Sequence, residues 1–126
     1  RHPMPTLNYI LLAVADPAAS NRFYSDLLGL EPVENSPSFV LYVLPNGIKL
    51  GLWAAGAITP APKAAGGVEI TFSQASIAEV RATHADWQHK ATILQQPIEM
   101  DFGFTFVAED PDGHRLRVFS PAENPR

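Results

Sequence analysis

The chain has 126 residues, enough for one domain with a hydrophobic core, and 46% of them are hydrophobic. Its net charge of −4 argues against a nucleic-acid partner, and its scattered basic residues form no patch that would bind a membrane surface. The absence of cysteine excludes disulfides, thiolate catalysis and cysteine-ligated zinc. The longest apolar run is too short to span a bilayer, so we expect a cytoplasmic protein without a membrane partner.

The first half of the chain predicts one strand, one helix and three short strands. Residues 7–15 are apolar on both faces, as in a strand that is covered on both sides. Asp16 and Pro17 suit the start of a helix, and Gly29 suits its left-handed end. Three extended segments are predicted next, at residues 31–35, 39–44 and 48–54.

Two hairpin turns, at residues 45–47 (Pro-Asn-Gly) and 110–113 (Asp-Pro-Asp-Gly), share one chemistry. Proline suits the second position of a type I turn, and the glycine that follows suits a left-handed conformation. We therefore predict that both hairpins carry a G1 bulge.

The second half repeats the same order of elements. Ser76 and Glu79 have the spacing of a capping box at the start of a helix. Pro45 lies over Pro111 at an offset of 66 residues, whereas residues 9–12 lie over 69–72 at an offset of 60, which places six additional residues near 97–103. Strands are predicted at residues 68–72, 92–96, 104–108 and 115–119.

A duplicated βαβββ unit in an α+β fold explains this repeat, because two copies are too few for a stable repeat array. The expected organisation is a single domain with a linker rich in Ala, Pro and Gly. Its parts are an N-terminal extension (1–6, in which three residues before Met4 resemble a cloning remnant), the first unit (7–54), the linker (55–67), the second unit (68–120) and a C-terminal tail (121–126).

Several motifs resemble those of the vicinal-oxygen-chelate superfamily, which includes glyoxalases, extradiol dioxygenases and bleomycin resistance proteins. Residues 103–116 resemble its C-terminal hairpin, whereas Asp16, residues 23–24 (Phe-Tyr) and residues 28–32 (Leu-Gly-Leu-Glu-Pro) resemble its first helix and the helix exit. The resemblance spans residues 7–121. It implies that each unit forms half of a cup, that two units enclose a site, and that the protein is a homodimer.

The metal enzymes of this superfamily place ligands at four strand positions, which the resemblance carries over to Tyr9, Gly51, Glu69 and Arg117. Only Glu69 is a good ligand, because glycine has no side chain and arginine is permanently cationic. A divalent cation requires several converging oxygen or imidazole donors. We therefore expect no metal and no cofactor, as in the resistance-protein branch. Residues 102–106 and residues 51–53 (Gly-Leu-Trp) look most like those of phenazine antibiotic resistance proteins.

Strand alternation predicts which side chains face the cup. Leu50, Leu52, Leu116 and Val118 form the continuous apolar set that should face the helices, so Gly51, Trp53, Arg117 and Phe119 should face the cup. With the G1 bulge, Phe39 falls opposite Trp53. A two-residue turn would instead bring Tyr42 opposite Gly51, so Tyr42 and Phe104 remain alternative cup residues.

Trp53 is the first candidate for ligand binding, because a planar ligand can stack on its indole ring. The alternative is that Trp53 packs in the core or in a dimer interface. The same two readings apply to Phe39, Phe102 and Phe104, and Phe102 lies in the additional segment, where it could form a flexible lip.

The polar candidates are Glu69, Arg117 and Tyr9. Glu69 and Arg117 could face each other and orient the polar edge of a ligand, or Arg117 could take a ligand carboxylate; the alternative is an internal salt bridge. Tyr9 could donate its hydroxyl to a ligand, or be a plain interface residue. Among the histidines, His84 is expected to be half-buried and His114 solvated.

Three functions fit these patterns. The preferred one is a metal-free binding protein, of the drug-resistance type, that sequesters a planar aromatic antibiotic or metabolite and has no catalytic residue. The second is a metal-dependent lyase, isomerase or dioxygenase, and the third is an interaction module whose cup is filled by its own side chains. The enzyme would need other ligands, such as Glu31, Glu34, Glu99 or Asp101.

Overall fold

The computed structural model describes residues 7–62 and 68–122. The chain divides into two compact units, Arg1–Lys63 and Ala64–Arg126, and each contains one four-stranded mixed sheet. The predicted N-terminal extension, the end of the predicted linker and most of the predicted tail lie outside the described residues.

The first unit has the predicted βαβββ order. Its elements are β1 (Tyr9–Val14), α1 (Pro17–Leu28), β2 (Glu34–Asn35), β3 (Phe39–Val43) and β4 (Lys49–Ala54). The strands lie in the order β1-β4-β3-β2, with β1 parallel to β4 and the other neighbours antiparallel. A single 3-10 turn, Ala55–Ala57, follows β4.

The second unit repeats this order and topology. Its elements are β5 (Glu69–Ser73), α2 (Ile77–Trp87), β6 (Thr92–Met100), β7 (Gly103–Glu109) and β8 (Arg115–Pro121). The strands lie in the order β5-β8-β7-β6, with β5 parallel to β8. The α+β class and the duplicated unit are therefore confirmed.

Both helices begin at the side chains that the sequence indicated. The Asp16 carboxylate accepts a hydrogen bond from the backbone N–H of Ala18, and the Ser76 hydroxyl accepts one from that of Glu79. Each bond satisfies a backbone donor that has no partner inside the helix. Neither of the described helices is long and apolar enough to cross a membrane.

The two hairpin turns have the predicted backbone. Gly47 and Gly113 have φ values of 89° and 85°, a region that favours glycine. Their N–H groups donate to the carbonyls of Leu44 and Asp110, at 2.8 and 3.0 Å. The resulting register pairs Phe39 with Trp53, as the bulge predicted.

Each sheet buries one face against the helix of its own unit. Leu50, Leu52, Leu116 and Val118 are all buried, which confirms the predicted helix-facing set. In the second unit, Trp87 of α2 packs edge-on against Phe106 of β7, with ring centroids 5.8 Å apart. The opposite face of each sheet, called its open face below, carries the alternate residues of the strands.

The second and sixth strands differ from the prediction. Strand β2 has only two residues, whereas β6 has nine and includes most of the additional segment. Two register shifts along β6, between Ile93 and Gln95 and between Gln95 and Ile98, absorb extra residues. Because β6 is an edge strand, Pro97 can lie in it without removing a required hydrogen bond.

Candidate functional site

The open face of the first unit carries an apolar patch. Tyr9, Leu11, Phe39 and Trp53 line a cavity of about 270 Å³, and we call these four residues the apolar face. Tyr9 and Leu11 are 40% and 48% exposed, so both side chains are accessible on this face. The rings of Phe39 and Trp53 meet edge to face, with centroids 6.2 Å apart. The arrangement leaves aromatic and aliphatic surface free for a planar ring.

Gly51 lies at the centre of the apolar face, where the side chains of Leu11 and Phe39 closely approach its backbone. A Cβ atom at this position would lie 2.5 Å from Leu11 Cδ2 and 3.0 Å from Phe39 Cε1. The absence of a side chain therefore lets Leu11 and Phe39 close over the strand. Sequence analysis missed Leu11, although its pairing with Gly51 across the two parallel strands follows from the predicted topology.

The open face of the second unit is charged instead. Glu69, Arg115 and Arg117 form what we call the charged cluster. Glu69 Oε2 accepts a hydrogen bond from Arg117 Nε at 2.9 Å, and Glu69 Oε1 lies 3.4 Å from Arg115 Nε. The predicted pairing of Glu69 with Arg117 is therefore present within the second unit.

Two further residues hold the Arg117 side chain. Its Nη1 donates to Thr105 Oγ1 at 3.1 Å, while the Thr105 hydroxyl donates to the carbonyl of Val118. The Phe102 ring lies 5.6 Å from the guanidinium carbon and packs edge-on against Phe119. Phe102 therefore lies in the turn before β7 and packs beside Phe119 and Arg117, while its predicted role as a flexible lip stays a prediction.

Tyr42 and Phe104, the alternative cup residues, lie on the helix side of their sheets, so the alternative in which they face the cup is wrong. The buried Tyr42 hydroxyl donates to Asn21 Oδ1 at 2.6 Å and lies 2.9 Å from Ser25 Oγ, and its burial raises the pKa of Tyr42. Phe104 packs under the guanidinium of Arg81 and lines a groove of about 560 Å³ at the start of α2. The bulge in each hairpin sets the strand register and thereby places these two side chains on the helix side.

His114 differs from the expectation of a solvated side chain. Its Nδ1 lies 2.8 Å from Asp110 Oδ2, and the Asp110 side chain is fully buried. The hydrogen bond to Asp110 raises the pKa of His114, because the carboxylate favours the charged imidazolium. This pair closes the second hairpin. His84 is half-buried, as predicted, and its Nε2 lies 3.0 Å from Gln96 Oε1.

The superfamily's metal enzymes hold a cation at four strand positions. In this chain, the residues at those positions do not suit a bound cation. The first unit supplies Tyr9 and Gly51, and the second supplies Arg117 and Glu69, whose two oxygens each engage a guanidinium. A permanent cation beside the single carboxylate opposes the binding of a second cation. Among residues 7–62 and 68–122, His, Asp and Glu side chains form no group of three that could hold a metal ion.

Known proteins resemble this chain over nearly its whole length. The sequence model of the glyoxalase/bleomycin resistance protein/dioxygenase superfamily matches residues 6–118. A phenazine antibiotic resistance protein of Enterobacter agglomerans is 28% identical over 120 residues, which cover 92% of each chain.

Solved structures share the fold. A protein of Agrobacterium tumefaciens, solved by NMR in solution, is 46% identical with a TM-score of 0.84, over 94% of this chain and 99% of that one. A glyoxalase/bleomycin resistance protein/dioxygenase from Nocardioides is 21% identical with a TM-score of 0.88, over 100% of this chain and 89% of that one. The chain therefore belongs to the glyoxalase/bleomycin resistance protein/dioxygenase superfamily.

Proposed function

We propose that the protein binds and sequesters a planar aromatic antibiotic or metabolite without a metal. The observation that carries this proposal is the apolar face, where Trp53, Phe39, Leu11 and Tyr9 line one cavity. Ligand sites are typically concave and mostly apolar, with a few polar groups that fix orientation. This cavity has that composition, with the Tyr9 hydroxyl as its polar group.

Stacking on Trp53 would supply much of the binding energy. An aromatic pair contributes about 0.5–1.5 kcal/mol beyond the burial of its area. Burying apolar surface adds roughly 25 cal/mol per Å². Since Leu11 and Phe39 fill the space that a side chain at position 51 would occupy, they add apolar surface on which a flat ring can lie.

The sequence relationship supports the ligand class. The relative from Enterobacter agglomerans bears the name of a phenazine antibiotic resistance protein, and phenazines are planar aromatic molecules. Sequestration of such a molecule would require tight binding and no turnover. The donor set at the four metal positions gives no support for a metal-dependent reaction.

Tryptophan fluorescence tests the proposal directly, because the two tryptophans report on different places. Trp53 lines the cavity, whereas Trp87 is buried against Phe72 and Phe106. We expect phenazine to quench the emission of the Trp87→Phe variant, which retains Trp53, and to leave that of Trp53→Phe unchanged. Quenching confined to Trp53→Phe would refute binding at the apolar face.

The metal-free part of the proposal has its own test. Protein purified without chelators is analysed for Zn, Ni, Mn, Fe and Co, and we expect far less than one metal ion per chain. The same preparation should bind phenazine with unchanged affinity after dialysis against a chelator. A stoichiometric metal whose removal abolishes binding would make a metal-dependent activity the better account.

We also propose that the protein is a homodimer. Leu94, Ile98 and Met100 of the edge strand β6 are exposed, and pairing between two copies would cover such side chains. Light scattering after size exclusion should give twice the mass of one chain. A monomer at micromolar concentration would contradict this part of the proposal.

A further inference from the structure

In the charged cluster of the second unit, the guanidinium of Arg117 is only partly hydrogen-bonded among the described residues. An arginine has five N–H donors and no acceptor. In the described parts of the chain, Arg117 uses two of them, one toward Glu69 and one toward Thr105. Its side chain is only 15% exposed, so water reaches it poorly, and buried polar groups are normally hydrogen-bonded. The remaining donors therefore favour an additional acceptor.

Arg117 is also held rigidly. The Thr105 hydroxyl has its own hydrogen committed to the carbonyl of Val118, so that a lone pair of its oxygen is directed at the guanidinium. Glu69 accepts a hydrogen bond from Nε, and the guanidinium carbon lies over the Phe102 ring, 5.6 Å from its centroid. A fixed guanidinium loses little conformational freedom when an anion binds, which increases the affinity that each hydrogen bond provides.

Within residues 7–62 and 68–122, Glu69 is the one carboxylate that forms an ion pair with Arg117. Glu69 is shared between Arg117 and Arg115, which lies two residues away on β8. Glu109 is the neighbour of Arg115 across β7 and β8, and it makes no ion pair with Arg117 among the described residues. The neighbours of Arg117 in the sheet are Thr71 and Val107, neither of which carries a charge.

Aromatic surface lies directly beside this cation. Phe102 is 39% exposed, and its ring contacts both Phe119 and the Arg117 guanidinium. An aromatic ring with an attached carboxylate would bury its ring against Phe102 and Phe119 while its oxygens accept from Arg117. Paired N–H donors of a guanidinium match the two oxygens of a carboxylate.

We propose that the open face of the second unit recognises the carboxylate of an anionic aromatic ligand, with Arg117 as the anchoring residue. The aromatic part of this ligand class rests on the proposed function, whereas the anionic part rests on the charged cluster alone. Glu69 is a positioning residue that also weakens the site, because it competes for the same guanidinium.

The test uses two matched probes, 2-naphthoate and its uncharged amide, 2-naphthamide. In the wild-type protein, we expect naphthoate to bind about tenfold or more tightly than naphthamide by calorimetry, the ratio given by one charge-assisted hydrogen bond. The Arg117 Nε–Hε resonance should move during the naphthoate titration. Equal affinities, or an Arg117 resonance that stays in place at saturation, would overturn the proposal.

Variants separate recognition from a purely structural salt bridge. Arg117→Met should lower naphthoate affinity about tenfold or more and leave naphthamide affinity unchanged. Arg115→Met is the matched control, since Arg115 shares Glu69 but makes no contact with Thr105 or Phe102 among the described residues, and it should change the naphthoate affinity less than about threefold. An equal loss in both variants would contradict an anchoring role for Arg117.

Glu69→Gln provides a test in the opposite direction. Removal of the competing carboxylate should tighten naphthoate binding by about threefold or more while the fold is retained, as monitored by the amide spectrum. Weaker naphthoate binding with an intact spectrum would overturn the proposal. Quenching of Trp53 by uncharged phenazine tests the proposed function separately, so that either claim can fail while the other stands.

Discussion

The two units carry different chemistry on matched strand positions of their open faces. In the first unit these positions hold Tyr9, Leu11, Phe39, Gly51 and Trp53, and in the second they hold Glu69, Thr71, Thr105, Arg117 and Phe119. The strand order and the register of these positions are the same in both units. The backbone of the unit therefore does not dictate the chemistry of its open face.

The position shared by Gly51 and Arg117 shows the contrast most clearly. In the first unit, the lack of a side chain lets Leu11 and Phe39 approach the strand. In the second unit, the same place holds a guanidinium that is bound by Thr105, the counterpart of Phe39. One copy of the unit thus provides surface for ring contacts, and the other provides hydrogen-bond donors.

The helix-facing sides of the two sheets also differ, and substitutions there should show the largest effect. Phe106, which packs on Trp87 and His84, corresponds to Val40 in the first unit, and both are fully buried. We expect Phe106→Ala to lower the free energy of unfolding by about 3–5 kcal/mol. Val40→Ala should cost about 2 kcal/mol, since it removes fewer buried carbons. Urea denaturation measures both, and equal losses would contradict the difference between the cores.

Gly51→Ala should affect both stability and binding. The added methyl group would force Leu11 and Phe39 to move, at a cost of about 1–3 kcal/mol in the free energy of unfolding. It should also lower phenazine affinity, because those two side chains line the cavity. Gly56→Ala is the control, since its Cβ would meet nothing within 4 Å. Unchanged phenazine titrations for Gly51→Ala would argue against the apolar face.

The Tyr42→Phe variant tests whether a helix-facing residue affects stability without affecting ligand binding. Loss of the hydroxyl that donates to Asn21 Oδ1 and hydrogen-bonds with Ser25 Oγ should cost about 1–2 kcal/mol, because both half-buried groups lose a partner. Phenazine affinity should not change, since Tyr42 lies on the helix side. Tyr9→Phe is the matched control, and its exposed position predicts almost no loss of stability. A Tyr42→Phe protein with full stability and weakened binding would reverse our assignment of faces.

The smallest expected effect is a pH dependence of the free energy of unfolding that arises in the second hairpin. Because Asp110 raises the pKa of His114 above its ordinary value of 6.5, the pair stabilises the folded state most at pH values below 6.5. This contribution is lost as the pH rises through the folded-state pKa. The free energy of unfolding of the wild type should therefore fall over that range relative to His114→Gln. Parallel pH profiles for the two proteins would contradict the coupling.

Local chemistry explains which parts of the fold were predictable from the sequence. Asp16 and Ser76 cap helices through contacts within three residues, and Pro45 with Gly47 defines a hairpin within four. From those turns, the pairing of Phe39 with Trp53 followed. The duplicated pattern was therefore sufficient for the topology and for the helix-facing residues.

The remaining features depend on contacts between residues far apart in sequence. The Tyr42 hydroxyl hydrogen-bonds with two side chains of α1, 21 and 17 residues away, and Arg117 donates to Thr105 on the neighbouring strand. The bulges of β6 arise only when it pairs with β7, so its length could not be read from its own residues. His114 is closer to its partner, and the aspartate that opens the turn was a signal that sequence analysis did not use.

The most direct test of the central claim compares the indole Nε1–H resonances of the two tryptophans during a titration with phenazine. If the apolar face binds planar aromatic rings, the Trp53 resonance moves and saturates with the ligand, while that of Trp87 stays in place. A shift at Trp87 alone, or no shift at either tryptophan at saturating phenazine, would contradict the account.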